Sequence, residues 1–379
     1  MNEYAVAMRR ELHENAEIGF ELPRTLAILR RELDAIGVEY TEKYGKSGIV
    51  ATVNPEKEHF TIGIRADMDA LPIKEQNDVP YKSKHDGIMH ACGHDAHTAI
   101  ALATLKEIYE MRDEISCRIK FIFQPAEEYA PSGAMLMAED GVMDNIDAIV
   151  ALHCAPHHPF GRIGIKHENM NATSDGFTLD FYGKNTHAAT QQHGRDAIMM
   201  CVRAYTDIEL MIAKEIGALD PVIFNVGAIH GGEANNVICD HCSMFCTLRT
   251  HSDKTAEYVL DKIKRIGRAV AETADGRFEF THKKHYPIVY NAPEICERVR
   301  KAASAVIGEE NIINQAQGMG GEDFSYFARL KPGCMFDLGT RGDTPDTANG
   351  LHTPTFNIDE RALEIGVEIF KKYILNNMK

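Results

Sequence analysis

Four metal-capable side chains fall within the eight residues His90-Ala-Cys-Gly-His-Asp-Ala-His97: Cys92 and the histidines at 90, 94 and 97. Apolar residues at helical spacing follow (Leu102, Leu105, Ile108), so the stretch reads as a loop that enters a helix over 98–111. Amide groups and the dipole at a helix start favour a thiolate at Cys92, the form of cysteine that binds metal. One His-x-x-His alone would read as a solvated helix start. Here, however, polar groups recur where three apolar segments end. Asp67 and Asp69 follow Phe60–Ile64, Glu127 and Glu128 follow Cys117–Phe123, and His153 follows Ala148–Leu152. With His352 these residues offer thiolate, imidazole and carboxylate together, a set that suits Zn, Mn, Co or Ni better than Mg or Ca.

The adjacent glutamates are the most telling detail. On an extended or turning backbone, neighbouring side chains point in different directions. One of the pair can therefore bind metal while the other faces a water held there, which is the arrangement hydrolysis needs.

The elements that would position these groups alternate. Residues 3–13 predict a helix, and a second carries Leu22, Leu26, Leu29, Leu33 and Ile36 on one stripe before Gly37. Short apolar strands then alternate with helices, and the polar residues sit at the carboxyl ends of the strands, the ligand-binding edge of an open α/β sheet. From about Asn171 the rhythm changes to β-α-β-β-α-β: strands at 177–182, 221–229, 243–250 and 277–281, with helices over 195–214 and 253–273. That order predicts an α+β, ferredoxin-like insert over 172–286. The α/β pattern resumes with a helix at 293–307, a strand at 334–338 and a helix at 359–375. The first domain is thus expected to be discontinuous, 1–171 with 287–379.

Composition bounds the possibilities. At 379 residues two domains are expected. A net charge of -15 argues against nucleic acid or an anionic membrane surface as partner. No apolar run approaches bilayer length, and the start, Met1-Asn-Glu-Tyr, does not read as a secretory signal. Nine scattered cysteines then predict reduced thiols and a cytoplasmic location. Cys239, Cys242 and Cys246 lack a second pair at zinc-ribbon spacing and read as strand thiols.

Five motifs carry a family resemblance: Arg65-Ala-Asp-Met-Asp-Ala-Leu-Pro72, His90–Asp95, Gln124-Pro-Ala-Glu-Glu128, Leu152-His153 and Met319-Gly-Gly-Glu-Asp-Phe324. Together, in matching order over the whole chain, they resemble the amidohydrolase branch of the M20 metallopeptidases. The resemblance implies an α/β, mixed-sheet catalytic domain holding two divalent metal ions per subunit (Zn or Mn, with Co or Ni as alternatives). It also implies an inserted lid that makes a homodimer. It assigns Cys92 as the bridge between the metals, with His94, Glu128, His153 and His352 as further ligands and Glu127 as general base. Where the wider family has a histidine in its first motif, this chain has Asp67 and Asp69, expected to orient the ligands. In the lid, Gly183-Lys-Asn-Thr-His187 resembles the segment whose histidine stabilises an oxyanion, often across the dimer. Asn236 and Arg249 lie in segments resembling those that bind the substrate carboxylate. Thr190-Gln191-Gln192 and Cys239 stand where relatives often carry proline. The implied reaction is metal-dependent hydrolysis of small N-acyl amino acids. Its rivals are cleavage of true peptides by a dipeptidase or carboxypeptidase, and a non-catalytic ligand-binding relative. Retention of Glu127 and all five ligands argues against the last.

Overall fold

The computed structural model describes residues 2–378. They fall into two compact units, each with its own apolar core. One gathers the chain up to Met170, Tyr290–Ala316 and everything from Asp323 on; the other comprises Asn171–Val289 with Gln317–Glu322. The last segment departs from the sequence expectation, which left it in the first domain. Backbone and side-chain bonds explain the transfer. Gly320 O accepts from Ala172 N–H, and Met319 O accepts from the Arg249 guanidinium at 3.1 Å.

The first unit is built on an eight-stranded mixed sheet. Strand Thr61–Asp67 lies between Arg118–Gln124 and Ala148–Pro159, parallel to both. All seven of its residues are buried, the pattern of a strand covered on both faces. Ala148–Pro159 pairs in parallel with Gly333–Arg341. This strand does not stop at His153 as the apolar run predicted. Its ladder continues, His153 opposite Asp337 and Ala155 opposite Gly339, because the partner strand supplies hydrogen bonds beyond the apolar stretch. Two antiparallel strands, Glu39–Tyr44 and Gly48–Val53, extend one side of the sheet. Helix Pro23–Ile36 carries the expected stripe and ends at Gly37, whose φ of +81° is the left-handed cap that glycine adopts freely.

The second unit has a four-stranded antiparallel sheet: Val222–Gly231, His241–Thr250, Ser174–Tyr182, then Arg277–Tyr286. That spatial order, with the third strand between the first and second, is the split βαβ layout. Helices Ala197–Glu215 and Asp253–Thr273 start at Asp196 and Ser252, whose side chains accept amide hydrogens of the first turn. No helix among the described residues is long and apolar enough to cross a membrane.

Candidate metal centre

Helix formation begins at His94, earlier than residue spacing suggested. Gly93 O accepts from Ala96 and His97 N–H, which sets His94 and His97 on one face of the first turn. Gly93 itself has φ +87°, and a Cβ there would lie 2.8 Å from Cys154 Cβ. Only glycine lets the chain pass between Cys92 and His94 this closely. Two other turns that carry candidate ligands hold non-glycine residues at positive φ, Ala126 (+52°) and His352 (+60°). Such backbone strain concentrates at functional sites.

All five proposed ligands converge in the first unit. Ligand atoms of Cys92, His94 and His153 lie within 4.8 Å of one another, and so do those of Cys92, Glu128 and His352. Cys92 is common to both sets. Its Sγ is 3.4 Å from His153 Nε2, and Glu128 Oε1 is 3.0 Å from His352 Nε2.

The hydrogen bonds around these groups decide whether a cation fits. His94 Nδ1 lies 2.8 Å from the Asp69 carbonyl, and His153 Nδ1 2.8 Å from the Cys154 carbonyl. A carbonyl only accepts, so both Nδ1 atoms carry hydrogen and both Nε2 atoms are left to offer a lone pair beside Cys92. His94 Nε2 is buried and makes no hydrogen bond of normal geometry. Nitrogen, sulfur and carboxylate donors around one buried orphan nitrogen fit a borderline divalent ion.

Electrostatics corrects one expectation. Burial pushes the Cys92 thiol well above its ordinary pKa despite the imidazole of His94 beside it. The helix start alone therefore does not make the thiolate; a cation would have to. Burial also opposes a charge on His94, yet Asp67 and Cys92 raise its pKa well above that of a free imidazole. A metal ion would take the place of that proton.

The aspartates brace this arrangement. Asp69 accepts the Glu127 amide on Oδ1 at 2.9 Å and the Glu128 amide on Oδ2 at 3.2 Å. Asp67 lies 2.6 Å from His97 Nδ1 and 2.7 Å from Arg65 Nη1. Burial works against its charge, but Arg65, His94 and His97 hold the carboxyl well below the usual range. His97 Nε2 accepts the Cys154 amide at 2.8 Å, so both its nitrogens are used, the other by Asp67. Arg65 reaches on to Gln124 and Asp323, both at 2.8 Å, and the Asp323 amide approaches Glu127 Oε1 at 3.4 Å. Sequence reading counted His97 among the metal-capable side chains, as a support more than a ligand, and gave Arg65 and Asp323 no part; membership of the quoted motifs was the only available signal for those two.

The remaining candidates belong to the second unit. His187 and Asn236 are neighbours: Thr186–His187 pairs with Val237–Ile238, and the Ala188 amide donates to Asn236 O. Both side chains are exposed. Arg249 stands on another strand, half-buried and bonded to Met319 O.

Residues 63–376 match the model of Peptidase family M20/M25/M40. N-acetyldiaminopimelate deacetylase of Geobacillus sp. (strain WCH70) is 35% identical over 372 residues, covering 97% of this chain and 96% of that protein. Thermostable carboxypeptidase 2 of Saccharolobus solfataricus is 31% identical over 369 residues, 97% of this chain and 93% of its own. The solved structure of the Bacillus subtilis YXEP protein, a dinuclear metal binding peptidase from M20 family, superposes with a TM-score of 0.82 at 30% identity. It covers 99% of this chain and 98% of that one.

Proposed function

The chain belongs to the peptidase family M20/M25/M40, as an amide-bond hydrolase, and from that premise we propose that it removes the acyl group from N-acyl amino acids with Glu127 as general base. The observation that carries this reading is the shared position of Cys92 in two ligand sets, with Glu127 and Glu128 fastened side by side to Asp69. Cys92, His94, Glu128, His153 and His352 would hold two divalent cations, Zn or Mn by donor type. Bound there, they would polarise the amide carbonyl and acidify water. Glu127 accepts the proton of the attacking water and delivers it to the departing amine. His187 donates to the oxyanion, and Arg249 with Asn236 binds the substrate carboxylate, which a guanidinium grips through forked hydrogen bonds.

A homodimer through the second unit accompanies this proposal. Helix Ala197–Glu215 exposes Met199, Val202 and Leu210, and the sheet's terminal strand Val222–Gly231 exposes Ile223 and Ile229. Exposed apolar side chains on both elements call for a partner.

The resemblance to a carboxypeptidase favours peptide cleavage as the second reading. Assay of N-acetyl, N-benzoyl and N-aminoacyl forms of one amino acid, after reconstitution with Mn, Zn, Co or Ni, separates the two. Preference for the acetyl or benzoyl form is expected. Faster turnover of the aminoacyl form would reassign the enzyme as a peptidase.

A further inference from the structure

A second group of metal-capable side chains lies in the other unit and includes none of the residues given a role above. Asp175 is fully buried on strand Ser174–Tyr182, and His282 and His285 project from the neighbouring strand Arg277–Tyr286. His282 Nε2 and His285 Nδ1 each lie 2.8 Å from Asp175 Oδ1.

The backbone is arranged to make this meeting possible. In a regular strand, residues three apart point to opposite faces. Here the register slips between His282 and Lys284: His282 stands opposite Phe177 and His285 opposite Asp175. Three steps on one strand thus match two on the other, the signature of a β-bulge. Both imidazoles are brought onto the face that carries Asp175. Bulges of this kind commonly re-aim side chains toward a site.

The carboxylate is unevenly used. Two imidazoles crowd Oδ1, while Oδ2, buried as well, makes no hydrogen bond. Two hydrogen-bonding histidines alone would have no need to leave a buried oxygen unsatisfied. A cation taking one oxygen and one nitrogen from each ring would use it. The three ligand atoms already lie within 4.8 Å of one another. The histidine side chains are 37% and 41% exposed, which provides a route in and leaves coordination positions for water.

We propose that Asp175, His282 and His285 form a separate divalent-cation site in the second unit, selective for borderline ions such as Zn, Co or Ni. One carboxylate and two neutral imidazoles match that class and discriminate against Mg and Ca. Asp175 lies close after the unit's first residue, Asn171, and His285 close before Val289. A bound ion would tie together the strands by which the chain enters and leaves.

The site is independent of the catalytic reading, and the test keeps them apart. Protein stripped with chelator is re-equilibrated with zinc, freed of excess, and analysed for zinc per chain. The chains compared are the unsubstituted protein, His282→Gln, and His282→Gln with His285→Gln, each with and without Cys92→Ala. Glutamine keeps a donor for Asp175, and both positions are partly exposed, so folding is expected to survive. The double variant is expected to hold about one zinc fewer in both backgrounds, and zinc should raise the Tm of the Cys92→Ala chain but not of the triple variant. Hydrolysis should stay within about twofold in the variants that keep Cys92. Equal zinc content with and without the histidines would overturn the proposal, whatever Cys92→Ala does.

Discussion

The two units treat their polar residues in opposite ways. In the first, Asp67, Asp69, Cys92 and His94 are buried; three of the four oxygens of Asp67 and Asp69 meet an amide or imidazole, and the fourth pairs with the Arg65 guanidinium. In the second, His187 and Asn236 stand in water, held chiefly by the backbone around them. Burial of charge is costly unless each group is paired. The first unit accepts that cost and gains groups each held by named partners. The second leaves its groups solvated, which suits the contacts with substrate proposed for them. On the proposed reading, chemistry and recognition are thereby separated along the chain.

The sharpest way to break this contrast is Glu127→Gln. Turnover should fall by about 10²–10⁴-fold with metal content unchanged. Near-normal kcat in that variant would remove the assigned base. Next comes Asp67→Ala, which removes one of the two buried carboxylates paired with Arg65 and the partner of His97 Nδ1. It should cost about 3–5 kcal/mol in urea unfolding, whereas His187→Ala should leave stability unaltered.

Acidity provides a third test, on metal-free protein. Burial above all holds the pKa of His90 down to about 3 and that of His97 to about 4. In the unfolded chain both take up protons near pH 6.5. Between those values the unfolded state binds more protons, so stability should fall as pH is lowered from about 6.5 towards 3. His13 contributes on the other flank. Burial opposes its charge, but Asp95 and Glu75 raise its pKa, so its contribution is complete below about pH 6.5 and is lost as pH rises through the raised value. A series of urea midpoints showing no acid-side decline would contradict the buried neutral histidines. The smallest effect is expected for Arg249→Lys: about a tenfold loss in kcat/KM, mainly through KM, with metal content and unfolding unchanged.

How much of this was legible beforehand depended on range. Helices with a clear stripe, such as Pro23–Ile36 and Pro293–Ile307, could be placed within a residue or so because their signal is local. Ala148–Pro159 could not, since its far half is set by pairing with a strand nearly two hundred positions away. Ile163–Ile165 and Ile312–Asn314, three residues each, are too short to show any period. The candidate ligands stood out by type and spacing. Their supports were legible only in part: Asp67, Asp69 and His97 could be suspected, but the Arg65–Asp323 bond spans 258 positions, and what His97 does shows only once the Cys154 amide is seen to fill its second nitrogen.

Asp69 has a further consequence. One carboxylate grips consecutive amides, so the groups assigned as proton carrier and as ligand are mounted on a single short bar. Any tilt of that bar carries the origins of both side chains together. On the proposed reading, a change of substrate can then be accommodated elsewhere in the molecule without shifting the backbone from which both carboxylates spring.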